Sequence, residues 1–106
     1  MARFLVSWRL NTASWPMDLQ KSLEMNETLW AVTDDLMKKG LVKDYGVFPD
    51  GESGYLVAEG QATDVFMSVN MFIPYVSCEV HEIIPFEKQK EIVRTLLSAA
   101  IAAMKK

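Results

Sequence analysis

Residues 41–59 read Leu-Val-Lys-Asp-Tyr-Gly-Val-Phe-Pro-Asp-Gly-Glu-Ser-Gly-Tyr-Leu-Val-Ala-Glu. At its centre, Pro49-Asp50-Gly51 is turn chemistry. Proline presets φ, aspartate bonds to its own backbone, and glycine tolerates positive φ. The flanks, Leu41–Phe48 and Gly54–Glu59, are rich in Val, Tyr, Phe and Leu, so the stretch reads as a β-hairpin. One set of side chains is Tyr45 and Val47 with Tyr55 and Val57. The other is Val42, Gly46 and Phe48 with Leu56 and Ala58. Both sets are apolar or aromatic, and strands of that kind are buried on both faces.

Upstream, Arg3 to Leu10 alternates, with Phe4, Val6, Trp8 and Leu10 against Leu5, Ser7 and Arg9, the mark of another strand. Between it and the hairpin, Asn11–Ser14 is a polar loop. A helix with Pro16 and Asp18 in its first turn then runs to Lys38-Lys39, where Gly40 supplies the stop. Its apolar residues form two stripes, Leu19, Leu23, Trp30 and Met37, and Met25, Leu29, Val32 and Leu36. The expectation is one unbroken helix burying two faces, with a break near Asn26 as the alternative.

Downstream, Thr63 or Asp64 caps a short helix with a core stripe of Val65, Phe66, Val69 and Phe72, ended by Pro74. Tyr75–Ile84 alternates Val76, Cys78 and Val80 against Ser77, Glu79 and His81, and Pro85 closes that strand. Glu87–Lys105 is a last helix with apolar positions Val93, Leu96, Leu97, Ala100, Ile101 and Met104. The order β-α-β-β-α-β-α predicts an α+β, ferredoxin-like unit. It has a four-stranded antiparallel sheet in the order 4-1-3-2, both crossover helices on one face, and a C-terminal helix beyond it.

With 106 residues, the chain predicts a single domain spanning 1–106. Half of it is hydrophobic and a quarter charged, with only 5 Gly and 4 Pro, which excludes disorder and low complexity. A net charge of −3 leaves no basic footprint for nucleic acid. The only cysteine, Cys78, has no partner for an internal disulfide, and the only histidine, His81, cannot build a Cys/His metal site. No apolar run reaches the ~20 residues that span a bilayer, and the N-terminus is polar again by Ser7. The expected setting is cytoplasmic, without membrane or nucleic acid.

The apolar outer face of the sheet exceeds what monomers carry, so a homo-oligomer is expected, at least a dimer packed sheet to sheet. The last helix folding back over its own sheet is the monomeric alternative. Candidate site residues follow from this picture. Glu79 and His81 share a strand face, and a His beside a carboxylate suits a general base. Arg9, on the neighbouring strand, either joins them or forms a plain cross-strand ion pair with Glu79. Tyr45 and Tyr55, with Ser7, offer aromatic faces and hydroxyls to a small organic ligand, and Tyr75 shares that chemistry. Each also suits a strand for its own sake. Gly51-Glu52-Ser53-Gly54 lacks the G-x-S-x-G spacing of a nucleophile elbow and precedes a strand, so it reads as part of the turn. Cys78 faces the helices as a small buried hydrophobe, and Met67 and Met71 lie off their helix's core stripe. No phosphate loop, dinucleotide fingerprint, metal-ligand cluster or flavin motif occurs, so neither cofactor nor metal is expected.

The stretch Phe72-Ile73-Pro74-Tyr75-Val76-Ser77-Cys78-Glu79-Val80, with the element order from Gly40 to Ile84, resembles muconolactone isomerase, of the dimeric α/β-barrel superfamily. The resemblance implies a sheet that closes with a second copy into a barrel. The isomerase carries His and Arg on its first strand, where this chain has Leu5 and Ser7. The whole chain also resembles small uncharacterised bacterial and archaeal proteins sharing the Pro-Asp-Gly turn, a Ser-Gly-Tyr strand start, the Pro-Tyr pair and a Glu-Val-His-Glu strand. Three functions remain open: small-molecule binding between sheet faces, a cofactor-independent isomerase or barrel-type monooxygenase using Arg9, Glu79 and His81, and a structural or interaction role without a pocket.

Overall fold

A computed structural model describes residues 2–105. The elements are β1 (Ala2–Leu10), a 3-10 turn (Thr12–Ser14), α1 (Leu19–Lys38), β2 (Val42–Val47), β3 (Ser53–Gly60), α2 (Ala62–Asn70), β4 (Val76–Ile83) and α3 (Phe86–Met104). All strand pairings are antiparallel, in the order β2-β3-β1-β4, which is 4-1-3-2 counted from the opposite edge. The fold is α+β and compatible with a ferredoxin-like unit. Its sheet is open, with β2 and β4 as edges, and does not close into a barrel within the protomer.

Phe4, Val6 and Trp8 of β1, Leu56 and Ala58 of β3, Val42 of β2 and Val76 of β4 form the core with Leu36 of α1, Val65 of α2 and Phe72. Val6 and Val65 are fully enclosed. Burying such a side chain is worth about 1.5–3 kcal/mol. α1 lies against β2 and α2 against β3.

The helix starts differ by a few residues from expectation. Asp18 caps α1 from outside, its Oδ1 accepting from the amides of Gln20 (2.8 Å) and Lys21 (3.2 Å), and Pro16 stays in the loop. α2 begins after Gln61, whose amide donates to the Asp64 carboxylate at 3.3 Å. α1 is unbroken, and Asn26 bonds the Ser22 carbonyl at 3.0 Å. Only one of its stripes docks in the protomer. Leu29, Val32 and Leu36 pack on the core, whereas Leu19, Leu23, Trp30 and Met37 are exposed. Phe66 is exposed too, and Ser68 takes its place in the core stripe of α2, its hydroxyl satisfied by the Asp64 carbonyl at 2.8 Å.

The hairpin register corrects the expected facing of β2. Tyr45 pairs with Leu56 and Gly46 with Tyr55, so Tyr45 and Tyr55 lie on opposite faces. The cause is a bulge between Val42 and Asp44, which inserts a residue and flips the parity of the rest of the strand. At the turn, Asp50 Oδ1 accepts from the amides of Glu52 (2.8 Å) and Ser53 (3.1 Å), and the Ser53 hydroxyl donates to Oδ2 at 2.9 Å. Gly51 takes φ +73°, which a Cβ would strain.

Among the described residues, α3 contributes nothing to the core. It has no buried residue, and Val93, Leu96, Leu97, Ile101 and Met104 are all exposed. It neither covers the open face of the sheet nor joins the core. Among the described residues, no helix is long and apolar enough to cross a membrane.

Candidate functional site

Two hollows lie on opposite faces of the sheet. The first is an apolar cavity of about 220 Å³ on the helix side. Its wall includes Trp8, Trp15 and Trp30, the three tryptophans of the chain, with Leu29, Tyr45 and Phe72. Each ring arrives by a different route. Trp8 is placed by β1's alternation and stacks on Tyr45, with centroids 5.8 Å apart. Gly54 makes room for that indole, because a Cβ there would strike both the Trp8 ring and the Gly46 carbonyl. Trp15 is pinned to α1 by its Nε1–H, which donates to Ser22 Oγ at 2.7 Å. Its loop is tied to β4 by Asn11, whose amide donates to the Tyr75 carbonyl at 2.8 Å. Trp30 comes from the exposed stripe of α1.

The polar groups of this cavity are few. Asn26 spends its Nδ2 on Ser22, leaving Oδ1 to accept. Thr33 donates to the Leu29 carbonyl at 2.9 Å and keeps its lone pairs. The Tyr45 hydroxyl has no hydrogen-bond partner among the described residues, and burial pushes its pKa up. Burial likewise raises the Cys78 thiol, so both groups are neutral at pH 7 and Cys78 is no activated nucleophile. Trp8 Nε1–H is enclosed and unpaired among the described residues, which costs about 1–3 kcal/mol while nothing accepts from it.

The second hollow, broad and open at about 630 Å³, lies on the bare face. It gathers Ser7, Arg9 and Glu79 with Phe48, Asp50 and Ser53 from the hairpin end. Three of the six expected site residues therefore meet. Tyr55 lies opposite Ser7 on the same face but donates its hydroxyl to Asp44 Oδ2 at 2.8 Å, which raises its pKa. His81 is opposite Leu5, its Nε2 3.8 Å from Glu79 Oε2, both side chains largely exposed. The expected Arg9–Glu79 ion pair is not made. The register sets Glu79 against Ser7 and Arg9 against Ser77. Tyr45 is separated from the other five by the sheet itself. Among the described residues, no cluster of three His, Cys, Asp or Glu is placed to hold a metal.

Sequence reasoning missed Trp8, Trp15, Trp30, Asn26 and Thr33. The signal for Trp30 was present, as a second apolar stripe on a helix with one sheet to cover. Trp15 had none, since its place depends on a hydrogen bond from a polar loop.

Compared with known proteins, the chain matches no protein-family model and no curated protein.

Proposed function

We propose that this protein binds a small aromatic molecule in the cavity between the sheet and α1. The observation that carries the reading is the convergence of all three tryptophans and Tyr45 on one apolar space. A cavity of ~150 Å³ holds benzene, so about 220 Å³ suits one or two fused rings. Asn26, Thr33 and Tyr45 offer hydrogen bonds to a single polar substituent, as ligand sites commonly do. Binding is favoured over catalysis there, because the only titratable groups on the wall are held neutral and the Glu79–His81 pair stands on the other face. A purely structural role leaves the cavity unexplained.

Calorimetric titration with phenol, indole and 2-naphthol tests the proposal. Saturable binding in the micromolar to millimolar range is expected for ligands of this size, roughly 4–8 kcal/mol. Thr33→Phe, which fills the cavity from α1, should weaken it about tenfold or more while leaving the far-UV spectrum unchanged. No saturable heat up to millimolar ligand, or binding indifferent to Thr33→Phe, overturns it.

A second reading rests on the hollow that gathers Ser7, Arg9 and Glu79. In a homo-oligomer, a second copy over this face would enclose a ligand between the two, with Arg9 holding an anionic group. Glu79 or His81 could then serve as base, in the manner that the likeness to muconolactone isomerase implies. Leu5 and Ser7, in place of that family's His and Arg, count against the lactone chemistry itself. Benzoate binding abolished by Arg9→Ala, but not by Thr33→Phe, would favour this reading over the first.

A further inference from the structure

A compact chain of 12.0 kDa exposes about 6,000 Å² and has a radius of gyration of about 13 Å. This protomer exposes 7800 Å², with a radius of gyration of 19.1 Å and a long dimension of 71 Å. α3, which has no buried residue, is one source of this excess of about 1,800 Å². β1 and α3 end to end measure about 30 and 28 Å, and α3 accounts for the elongation by lying free of the core. Its row of Val93, Leu96, Leu97, Ile101 and Met104, 42–85% exposed, runs along one side of the helix.

The connection from β4 to α3 is short. Only Ile84 and Pro85 separate it from β4, and Pro85 sits at φ −61°, ψ 150° as the helix cap. Proline fixes its own φ and holds the residue before it extended. In this conformation α3 leaves the sheet without packing on it.

We infer that α3 is an exchanged arm that lies across the open sheet face of a second copy of this chain. This rests on the homo-oligomer reading but replaces its sheet-to-sheet packing, since a helix on the open face keeps the two sheets apart; it does not rest on the ligand of the aromatic cavity. Each protomer has one arm to give and one face to receive it, so a two-fold pair satisfies both at once. The lengths agree, since α3 and the central strand β1 each span about 30 Å. The receiving face presents Leu5, Tyr55, Val57 and Ile83, all partly exposed, with the Tyr55 ring stacked on Phe48 at 6.2 Å. Removing about 1,800 Å² from each copy places the pair among permanent homodimers, which bury ~2,000–5,000 Å² in total. The arm would also roof the hollow beside Ser7 and Glu79.

Sedimentation of the full chain at micromolar concentration, with two variants, tests this. The wild type should be a dimer of the 12.0 kDa protomer. Leu97→Glu with Ile101→Glu on the arm, and Leu5→Glu with Val57→Glu on the face, should each weaken the dimer on the order of 100-fold. The arm variant should keep the wild-type near-UV spectrum, because α3 touches no core residue. An equimolar mixture of the two should regain dimers, since both defects can then meet at one seat and leave the other intact. A wild-type monomer across a hundredfold dilution overturns both the arm and the homo-oligomer. A dimer indifferent to the arm variant overturns the arm alone, and failure of the mixture to recover overturns its seat on the sheet.

Discussion

Leu56 and Val57 are neighbours on β3, yet they belong to different environments. Leu56 points under α1 and is buried at 8% exposure, while Val57 points to the bare side and is only half-buried. The same contrast repeats along β1, where Phe4, Val6 and Trp8 are buried and Leu5, Ser7 and Arg9 are not. One face is closed around aromatic rings and neutral groups. The other keeps its carboxylates, arginines and histidine in contact with water. Strand parity alone makes this separation, so one residue's shift moves a side chain from one chemistry to the other. Tyr45 is the case in point. The bulge carries it to the aromatic cavity and away from Tyr55.

The sharpest test of the contrast is the adjacent pair. Leu56→Ala should cost about 2–5 kcal/mol of unfolding free energy, and Val57→Ala less than about 1 kcal/mol. Urea unfolding at a concentration where the protomer is dilute measures both. Equal costs would mean that the open face is as enclosed as the helix face. Gly54→Ala should come next, at about 1–3 kcal/mol, because its methyl meets the Trp8 indole and the Gly46 carbonyl. A shifted tryptophan emission should accompany it, and an unchanged spectrum with unchanged stability would refute the close approach.

The smallest effect belongs to the turn at the rim of the open face. The Glu52 amide and then the Ser53 hydroxyl hold the Asp50 carboxyl below its usual value. A depressed carboxylate stabilises the fold above its unfolded pKa of ~3.9, and that contribution disappears as pH falls through the folded value. Wild type should therefore lose stability below about pH 4 more steeply than Asp50→Asn. Parallel urea midpoints between about pH 5 and 2 would remove Asp50 from the account.

Much of this architecture is legible in the residues. Alternation from Arg3 to Leu10, the Pro49-Asp50-Gly51 turn and the stop at Gly40 place the strands and α1 to within a few residues. The facing of β4 is legible in part, with Val76 buried, Cys78 partly buried and Glu79 and His81 exposed, but Val80, expected on the covered side, is 41% exposed. The bulge at Val42–Asp44 is not, because Lys43 carries no glycine or proline to mark an inserted residue. Nor does the periodicity of α3 state what covers it. An apolar stripe reports that a helix has something to bury, not whether the cover comes from its own sheet or from elsewhere. The site was half legible for the same reason. Ser7, Arg9 and Glu79 follow from parity on adjacent strands, whereas the cavity needs Trp15, Asn26 and Thr33 brought together by contacts that no local pattern encodes.

The central position of β1 bears on the protein's synthesis. Its two neighbours are β3 and β4, and the last to be made pairs Val76 with Leu10 and Ile83 with Arg3. A ribosome adds about 5–20 residues per second, so β1 waits several seconds with Phe4, Val6 and Trp8 unburied and one or both edges unpaired. A nascent chain in that state is a natural client for chaperones and a point of entry for aggregation.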